Sequence, residues 1–258
     1  STLTELRELN IENTRVTDAG LRHLENLRNL RSLSLANTQI DGSGLVHLSN
    51  LTELRVLELH SNQLNDGLSH LARLSQLRRL RLDGTQTNDD HLEHLAGLRD
   101  LRVLYLDATP VTNVGMVHLS GLTELRELHL YRTTVSDPGL AHLSALRELR
   151  ELNLWDTEVG DAGLEHLSGL ENLRVLSLKE TQITDEGLAH LSGLMALRHL
   201  DLNGNQVGDP GLEHLGSLTN LELLHIRETR ITGPAARAFE REHPGCQVLG
   251  PEAFNFPR

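Results

Sequence analysis

Apolar and variable positions alternate in a fixed order that recurs along the whole chain. Each unit opens with L-x-x-L-x-L, and this alternation predicts a β-strand with one buried face. In the second half of the unit the leucines are spaced by three, as in Leu21, Leu24 and Leu27, which places them on one side of a short helix. Each unit is therefore predicted to be a strand, a turn and a short helix.

The unit repeats with a step of 24 residues, except that the third copy, Leu54 to Gln76, is one residue shorter. A single unit cannot bury its own leucines, so the units are expected to stack into a solenoid. The leucines that open the copies are Leu6, Leu30, Leu54, Leu77, Leu101, Leu125, Leu149, Leu173, Leu197 and, in a modified tenth copy, Leu221.

Two local signals mark the boundary between strand and helix. We interpret Asp-Pro at 137–138 and 209–210 as a helix N-cap followed by proline at the first helical position. A threonine or asparagine follows every strand, and its side chain is expected to bond turn backbone from repeat to repeat as a polar ladder. These residues are Thr14, Thr38, Asn62, Thr85, Thr109, Thr133, Thr157, Thr181, Asn205 and Thr229.

The recurring T-x-I-T-D-x-G-L-x-H-L pattern resembles the bacterial type of the leucine-rich repeat family over essentially the whole chain. The resemblance implies an α/β solenoid, a horseshoe or arc, with a parallel β-sheet on the concave face and short helices on the convex face. It places nine repeats in residues 6–220, and a tenth modified repeat with a C-terminal cap in residues 221–258.

The two ends depart from the repeat. Residues 1–5 match the tail of a repeat such as 120–124, which predicts the end of a truncated preceding repeat and an uncapped N-terminal edge. Two copies pairing through that edge would form a homodimer. At the other end a longer helix and a last strand are expected to close the core, and all three phenylalanines, Phe239, Phe254 and Phe256, lie in this cap.

Two polar columns recur in nearly every copy and are expected to be structural. A histidine precedes a helix leucine from His23 to His214, and an arginine opens the strand from Arg7 to Arg198. Neighbouring helices pack about 10 Å apart, too far for histidines to share a zinc that each ligand must approach to about 2.1 Å. We expect the imidazoles to bond turn backbone and the arginines to form a solvated charge ladder with acids such as Glu53.

Positions between the strand leucines change freely from copy to copy, and they are predicted to lie on the concave face. Every tyrosine and tryptophan of the chain falls there, in three consecutive repeats. Strands lie about 4.8 Å apart, so the three rings are expected to form one patch. The alternative is that exposed aromatics occur by chance on a long sheet. The predicted partner-binding residues are Tyr105, Asp107, His129, Tyr131, Arg132, Asn153, Trp155 and Asp156.

A second, basic patch is predicted at His60, Arg79 and Arg81. It lies near three irregularities: the short third repeat, Thr87 where other copies carry valine or isoleucine, and His91 where they carry glycine. Drift in a tolerant repeat is the alternative interpretation.

Composition narrows the classes of function. Lys and Arg total 24 against 36 Asp and Glu, a formal charge of −12, which argues against a nucleic-acid binder. Aromatic residues make up 2%, so leucine must fill the core. No apolar run approaches the roughly 18 residues of a membrane span. A single cysteine, Cys246, excludes an intrachain disulfide and is expected to pack in the cap.

No catalytic motif is recognisable, and no metal or cofactor is expected. The sequence therefore predicts a non-enzymatic module that binds a protein or peptide on its concave face. The alternative is a designed or structural repeat scaffold, or a self-associating element, without an evolved ligand.

Overall fold

A computed structural model describes residues 3–250 of the chain. The fold divides into two compact units, Ser1–His129 and Leu130–Arg258. Each unit is a stack of repeats in which a three-residue strand is followed by a turn and one or two short helical segments.

From residue 3 onward, unit 1, Ser1–His129, has six strands that pair in parallel and in chain order. The strands are β1 Glu8–Asn10, β2 Ser32–Ser34, β3 Val56–Glu58, β4 Arg79–Arg81, β5 Val103–Tyr105 and β6 Glu127–His129. The helices are α1 Asp18–Leu21, α2 Asp89–Glu93 and α3 Asn113–Met116, with 3-10 segments at Arg22–Leu24, Ser43–Leu48, Leu68–Arg73 and Val117–Leu119.

Up to residue 250, where the description of the chain ends, unit 2, Leu130–Arg258, has five strands with the same parallel order. The strands are β7 Glu151–Asn153, β8 Val175–Ser177, β9 His199–Asp201, β10 Leu223–His225 and β11 Gln247–Leu249. The helices are α4 Asp137–Leu140, α5 Asp161–Glu165, α6 Asp185–Leu188, α7 Asp209–His214 and α8 Gly233–Glu242, with 3-10 segments at Ala141–Leu143 and Ala189–Leu191.

Leucine fills the core of both units. The central leucine of a strand, such as Leu104 or Leu152, is fully buried, as are the helix leucines that face it, such as Leu119 and Leu164. Burying each leucine side chain stabilises the fold by about 1.5–3 kcal/mol, so the repeats need no aromatic core. The predicted leucine-rich repeat solenoid of parallel strands and short helices is confirmed.

The aspartate of the repeated T-D-x-G-L segment connects one repeat to the next. The Asp137 carboxylate accepts a hydrogen bond from the backbone N–H of Gly160 at 2.6 Å, one repeat further along. A Cβ added at Gly163 would lie 2.6 Å from that carboxylate, which explains why glycine recurs at this position. Interpreting Asp137 and Asp209 as N-caps was wrong, because each is the first residue of its helix and its carboxylate bonds the following repeat.

The polar ladder expected after the strands is present at two positions only among residues 3–250. Asn62 donates from Nδ2 to the carbonyl oxygens of Leu35, in the preceding repeat, at 2.8 Å and of Leu59 at 2.9 Å. Asn205 makes the equivalent pair of bonds. A threonine hydroxyl is too short for this span, and Thr157 bonds the carbonyl of Leu154 in its own repeat.

The irregular third and fourth repeats form one local adjustment. The Asp66 side chain, in the shortened third repeat, is fully exposed, and its carboxylate lies 3.9 Å from Nε2 of His91, at the glycine position of the next repeat. His91 occupies that position and completes a capping box with Asn88. Thr87 is fully buried and its hydroxyl contacts that of Thr85 at 2.8 Å. These three departures therefore belong to the turn and helix α2, not to the strand surface.

The bonds expected of the two polar columns do not form among residues 3–250, apart from one ion pair. Within residues 3–250, no imidazole of the repeated histidine column bonds a backbone carbonyl, and His47 instead faces Glu25 at 3.4 Å. In the same range, Arg198 is the one member of the arginine column with an ion pair, to Glu222 at 2.7 Å. The Nε atoms of Arg55 and its counterparts Arg102 and Arg126 are buried, so the aliphatic stems pack into the junction and no charge ladder forms.

Helix α8 and strand β11 follow β10 in unit 2, where the sequence predicts a C-terminal cap. His243 is buried at the end of α8, stacks on Phe239 with ring centres 4.1 Å apart, and places Nε2 3.1 Å from the carbonyl oxygen of Gly216. Cys246 is buried and reduced, and burial raises the pKa of its thiol to about 11. Phe254 and Phe256 lie outside the described residues, as does the start of the predicted truncated repeat at residues 1–5.

None of the helices described has the length and hydropathy to cross a membrane.

Candidate functional site

The outer residues of each strand lie on the face of the sheet opposite the buried leucines, which we call the open face. In β5 and β7, for example, the outer side chains are half-buried while the central leucine is fully buried. The residue two positions after the strand, such as Asp107 or Trp155, is also half-buried. The repeat therefore provides three adjustable positions per strand around an unchanging core.

In unit 1, the open face carries a layered arrangement that we call the Tyr105 stack. The His129 ring lies parallel to the Tyr105 ring, with ring centres 4.1 Å apart and planes 14° apart. The guanidinium carbons of Arg79 and Arg81 each lie 5.0 Å from the centre of the Tyr105 ring. The strand register causes this order, because Arg81 pairs with Tyr105 and Tyr105 pairs with His129 in adjacent strands.

Acidic neighbours fix the two arginines of the Tyr105 stack. Asp83 accepts two hydrogen bonds from Arg81, both at 3.0 Å, in the bidentate geometry that holds a guanidinium in one plane. Glu58 lies 3.7 Å from Arg79. Burial, and secondarily the positive charge of Arg79, lowers the pKa of His129 to about 4, so its ring is neutral near pH 7.

The structure joins residues that the sequence assigned to separate patches. Arg79 and Arg81, predicted as a basic patch, contact Tyr105 of the aromatic patch and are paired with acids. His60, the third member of the basic patch, has a buried Nδ1 without a hydrogen-bond partner. Sequence reasoning missed this grouping because it compared repeats by position and not by the register between neighbouring strands.

In unit 2, the open face carries a second arrangement, which we call the Trp155 stack. The rings of Tyr131 and Trp155 are stacked with centres 4.1 Å apart and planes 23° apart. The Lys179 ammonium lies 3.9 Å from the centre of the Trp155 ring. The guanidinium of Arg132 lies 5.2 Å from the Tyr131 ring centre. Cation and ring attract each other through the ring quadrupole, so these contacts order the stack.

Two ion pairs complete the Trp155 stack. Arg132 pairs with Asp156 at 3.1 Å, and Lys179 pairs with Glu180 at 3.3 Å. Contact with the Trp155 indole, and then with Lys179, lowers the pKa of Glu180.

Asn153 supports the same stack from the end of strand β7. Its side-chain oxygen accepts the backbone N–H of Trp155 at 3.0 Å and fixes the turn that carries the ring.

Asp107 lies in unit 1, in the turn after β5, where its backbone carbonyl accepts the N–H of Gly84. Of the eight predicted partner-binding residues, Tyr105, Asp107 and His129 belong to unit 1 and the other five to unit 2.

The turn residue after each stack position has left-handed backbone geometry, which the sequence analysis did not predict. Arg132, Asp156 and Glu180 have φ values of 55°, 54° and 53°, and glycine takes this conformation in other repeats, at Gly84 and Gly204. A residue with a Cβ pays roughly 1–2 kcal/mol for the left-handed region. The chain therefore keeps charged side chains beside the Trp155 stack at positions where glycine would be less strained.

The fold and these ordered surfaces define a leucine-rich repeat solenoid with variable residues on its strands. A family model described as a leucine-rich repeat region matches residues 1–232, and the chain belongs to this family. No curated protein matches the chain.

Solved structures give the same picture. An internalin (inlF) from Listeria monocytogenes is 26% identical, with a TM-score of 0.78 over 99% of this chain and 75% of that one. An internalin C2 from the same species is 36% identical, with a TM-score of 0.66 over 76% of this chain and 80% of that one. A plant peptide hormone receptor, RGFR1, solved in complex with RGF2, is 19% identical, with a TM-score of 0.64 over 96% of this chain and 44% of that one, and shows the fold alone. Family and neighbours support a protein-binding repeat module in general terms, of a kind that is typically non-enzymatic.

Proposed function

We propose that the chain is a non-enzymatic module that binds a protein or peptide on the open face of its strands, with the Trp155 stack as the main contact. The observation that carries this proposal is the ordering of Tyr131 and Trp155 by stacking, with Lys179 against the second ring. Tyrosine, tryptophan and arginine dominate the energetics of protein interfaces. Because the rings are already held in place, binding costs little side-chain entropy.

The geometry favours a protein partner over a small ring-shaped or quaternary ammonium ligand. Such ligands bind on an open aromatic face. The Trp155 ring is stacked on Tyr131 and also carries the Lys179 ammonium, and Tyr105 contacts His129 and two guanidinium groups. What the stacks offer to a partner is ring edges and charged groups, which suit the mixed polar and apolar surface of a protein.

Selection from a displayed library of random, tryptophan-free peptides tests the proposal. Selected peptides are expected to bind the native chain and to lose at least tenfold in affinity for the Tyr131→Ala/Trp155→Ala variant, measured by calorimetry. The matched control is Val114→Ala/Met195→Ala, which truncates one exposed side chain in helix α3 and one in the turn before β9, and should change affinity less than twofold. Equal binding to all three proteins, with circular dichroism showing each folded, would contradict the proposal.

Self-association through the N-terminal edge is a second proposal. Leu9 at the centre of β1 is only half-buried, whereas its neighbour in the sheet, Leu33, is fully buried. Pairing of two copies at this edge would remove that apolar surface from water. Light scattering after size exclusion should then give twice the chain mass of 28.7 kDa. A monomer at every concentration tested would argue against it.

A further inference from the structure

A cavity of about 520 Å³ lies between helices α7 and α8 in unit 2, away from the strands. Its walls are mainly apolar: Leu212 of α7, and Ala235, Ala238 and Phe239 of α8. The volume falls within the range of about 300–1,000 Å³ that is usual for ligand pockets. Neither stack on the open face contributes to this cavity.

The local sequence explains why a cavity forms here. Helix α8 has ten residues, whereas α7 has six, so α8 continues beyond its neighbour. Small side chains at Ala235 and Ala238, spaced by three on α8, and the absence of a side chain at Gly216 leave the space between the helices unfilled. His243 bridges from the end of α8 to the Gly216 carbonyl and holds that end in place.

Carboxylates line the same cavity. Asp209, Glu213 and Glu242 are among its lining residues. Asp209 already accepts hydrogen bonds from Thr232, which leaves the other two as the available anions. Glu213 and Glu242 are exposed and have no ion pair with any residue between 3 and 250. The cavity therefore combines an apolar floor with two exposed carboxylates that form no ion pair within residues 3–250.

We propose that this cavity is a docking site for a cationic amphipathic peptide segment, one that presents apolar side chains beside lysine or arginine. The apolar side chains would fill the space between Leu212, Ala238 and Phe239, and the cationic groups would pair with Glu213 and Glu242. Charge complementarity selects this occupant, since an acidic peptide or nucleic acid would be repelled by the carboxylates and by the formal charge of −12. Lysine and arginine stems also pack on apolar surface while their charged ends remain in water.

A synthetic amphipathic peptide made only of leucine and lysine is the probe, titrated into the full chain at 0.15 M salt, where the screening length is about 8 Å. Removing two carboxylates with Glu213→Gln/Glu242→Gln is expected to weaken binding at least tenfold. The control Glu165→Gln/Glu171→Gln removes the same charge from exposed positions elsewhere in unit 2 and is expected to weaken binding less than twofold. Equal weakening by both variants would mean that the peptide responds only to net charge, and would overturn the proposal.

Filling the cavity provides an independent test of its apolar part. Ala238→Trp is expected to abolish binding of the leucine–lysine peptide. Ala235→Leu is a smaller change that serves if Ala238→Trp does not fold, and it is expected to weaken binding at least fivefold. Oligolysine without leucine should bind at least tenfold more weakly than the amphipathic peptide. The proposal fails if both fillers leave the affinity unchanged, if oligolysine binds as tightly, or if the native chain does not bind the peptide.

Discussion

At the scale of single residues, close contact between a repeated aspartate and the glycine of the next repeat sets the distance between neighbouring repeats. A Cβ at Gly163 would lie 2.6 Å from the Asp137 carboxylate, whereas one at Gly169 would meet no atom within 4 Å. Gly163→Ala is therefore expected to lower the free energy of unfolding by about 1–3 kcal/mol, as overpacking does. Gly169→Ala should change it by less than about 0.5 kcal/mol. Equal effects in urea denaturation would show that this contact does not limit the spacing.

His129 makes stability depend on pH in a defined direction. Its pKa is lowered to about 4 in the folded chain, against 6.5 for the free side chain, because burial disfavours the imidazolium. The unfolded chain therefore binds a proton first, and stability is lost as pH falls from about 6.5 towards 4. Because His129 is partly exposed, the expected loss in the free energy of unfolding is about 1–2 kcal/mol. Denaturation curves at pH 7 and 4.5 should differ less for His129→Phe than for the native chain, and an unchanged difference would contradict this assignment.

Replacing Arg132 tests whether this residue contributes to binding or to folding. Its φ of 55° is strained, so Arg132→Gly relieves the backbone by about 1 kcal/mol while losing an exposed ion pair that is worth a similar amount or less. We expect Arg132→Gly to change the free energy of unfolding by less than about 1 kcal/mol. Selected peptides should bind this variant at least fivefold more weakly. The matched variant Glu228→Gly, at the same position of the tenth repeat, should leave binding intact. Weaker folding with unchanged binding would assign Arg132 to structure.

At the scale of elements, the asparagines that follow β3 and β9 connect repeats in a way that the threonines do not. Asn62 bonds the carbonyls of two successive repeats, and Thr157 bonds one carbonyl of its own repeat. Asn62→Ala leaves more buried groups unpaired and is expected to cost about 2–4 kcal/mol, against about 1–2 kcal/mol for Thr157→Ala. Thermal denaturation of the two variants checks this order, and a reversed order would show that the asparagine bonds contribute little.

The elements also show where sequence reasoning succeeded and where it failed. Strand and helix positions follow from leucine periodicity, because each leucine has one way to reach the core. The bonding of Asp137 to the next repeat was missed, since it depends on how repeats approach one another. The link between the short third repeat and His91 was missed for the same reason: the two irregularities compensate across a repeat boundary.

At the scale of the whole molecule, sequence comparison located the aromatic residues but not their arrangement. Internal comparison of the repeats identified Tyr105, Tyr131 and Trp155 as exceptions on the strand surface. The pairing of Tyr105 with two arginines, and the placement of Lys179 against Trp155, depend on side-chain geometry between strands. Turn residues with left-handed geometry were also invisible to a pattern of apolar positions, because that pattern carries no information on backbone dihedrals at polar sites.

The most direct measurement uses Trp155, the single tryptophan of the chain, as a probe within the proposed binding surface. Titrating a selected tryptophan-free peptide should change the emission of Trp155 with a saturation curve that matches the affinity obtained by calorimetry. Such agreement is the result expected if partners bind at the Trp155 stack. Saturable binding in the calorimeter with no change in Trp155 emission, and with full affinity retained by Trp155→Phe, would contradict it.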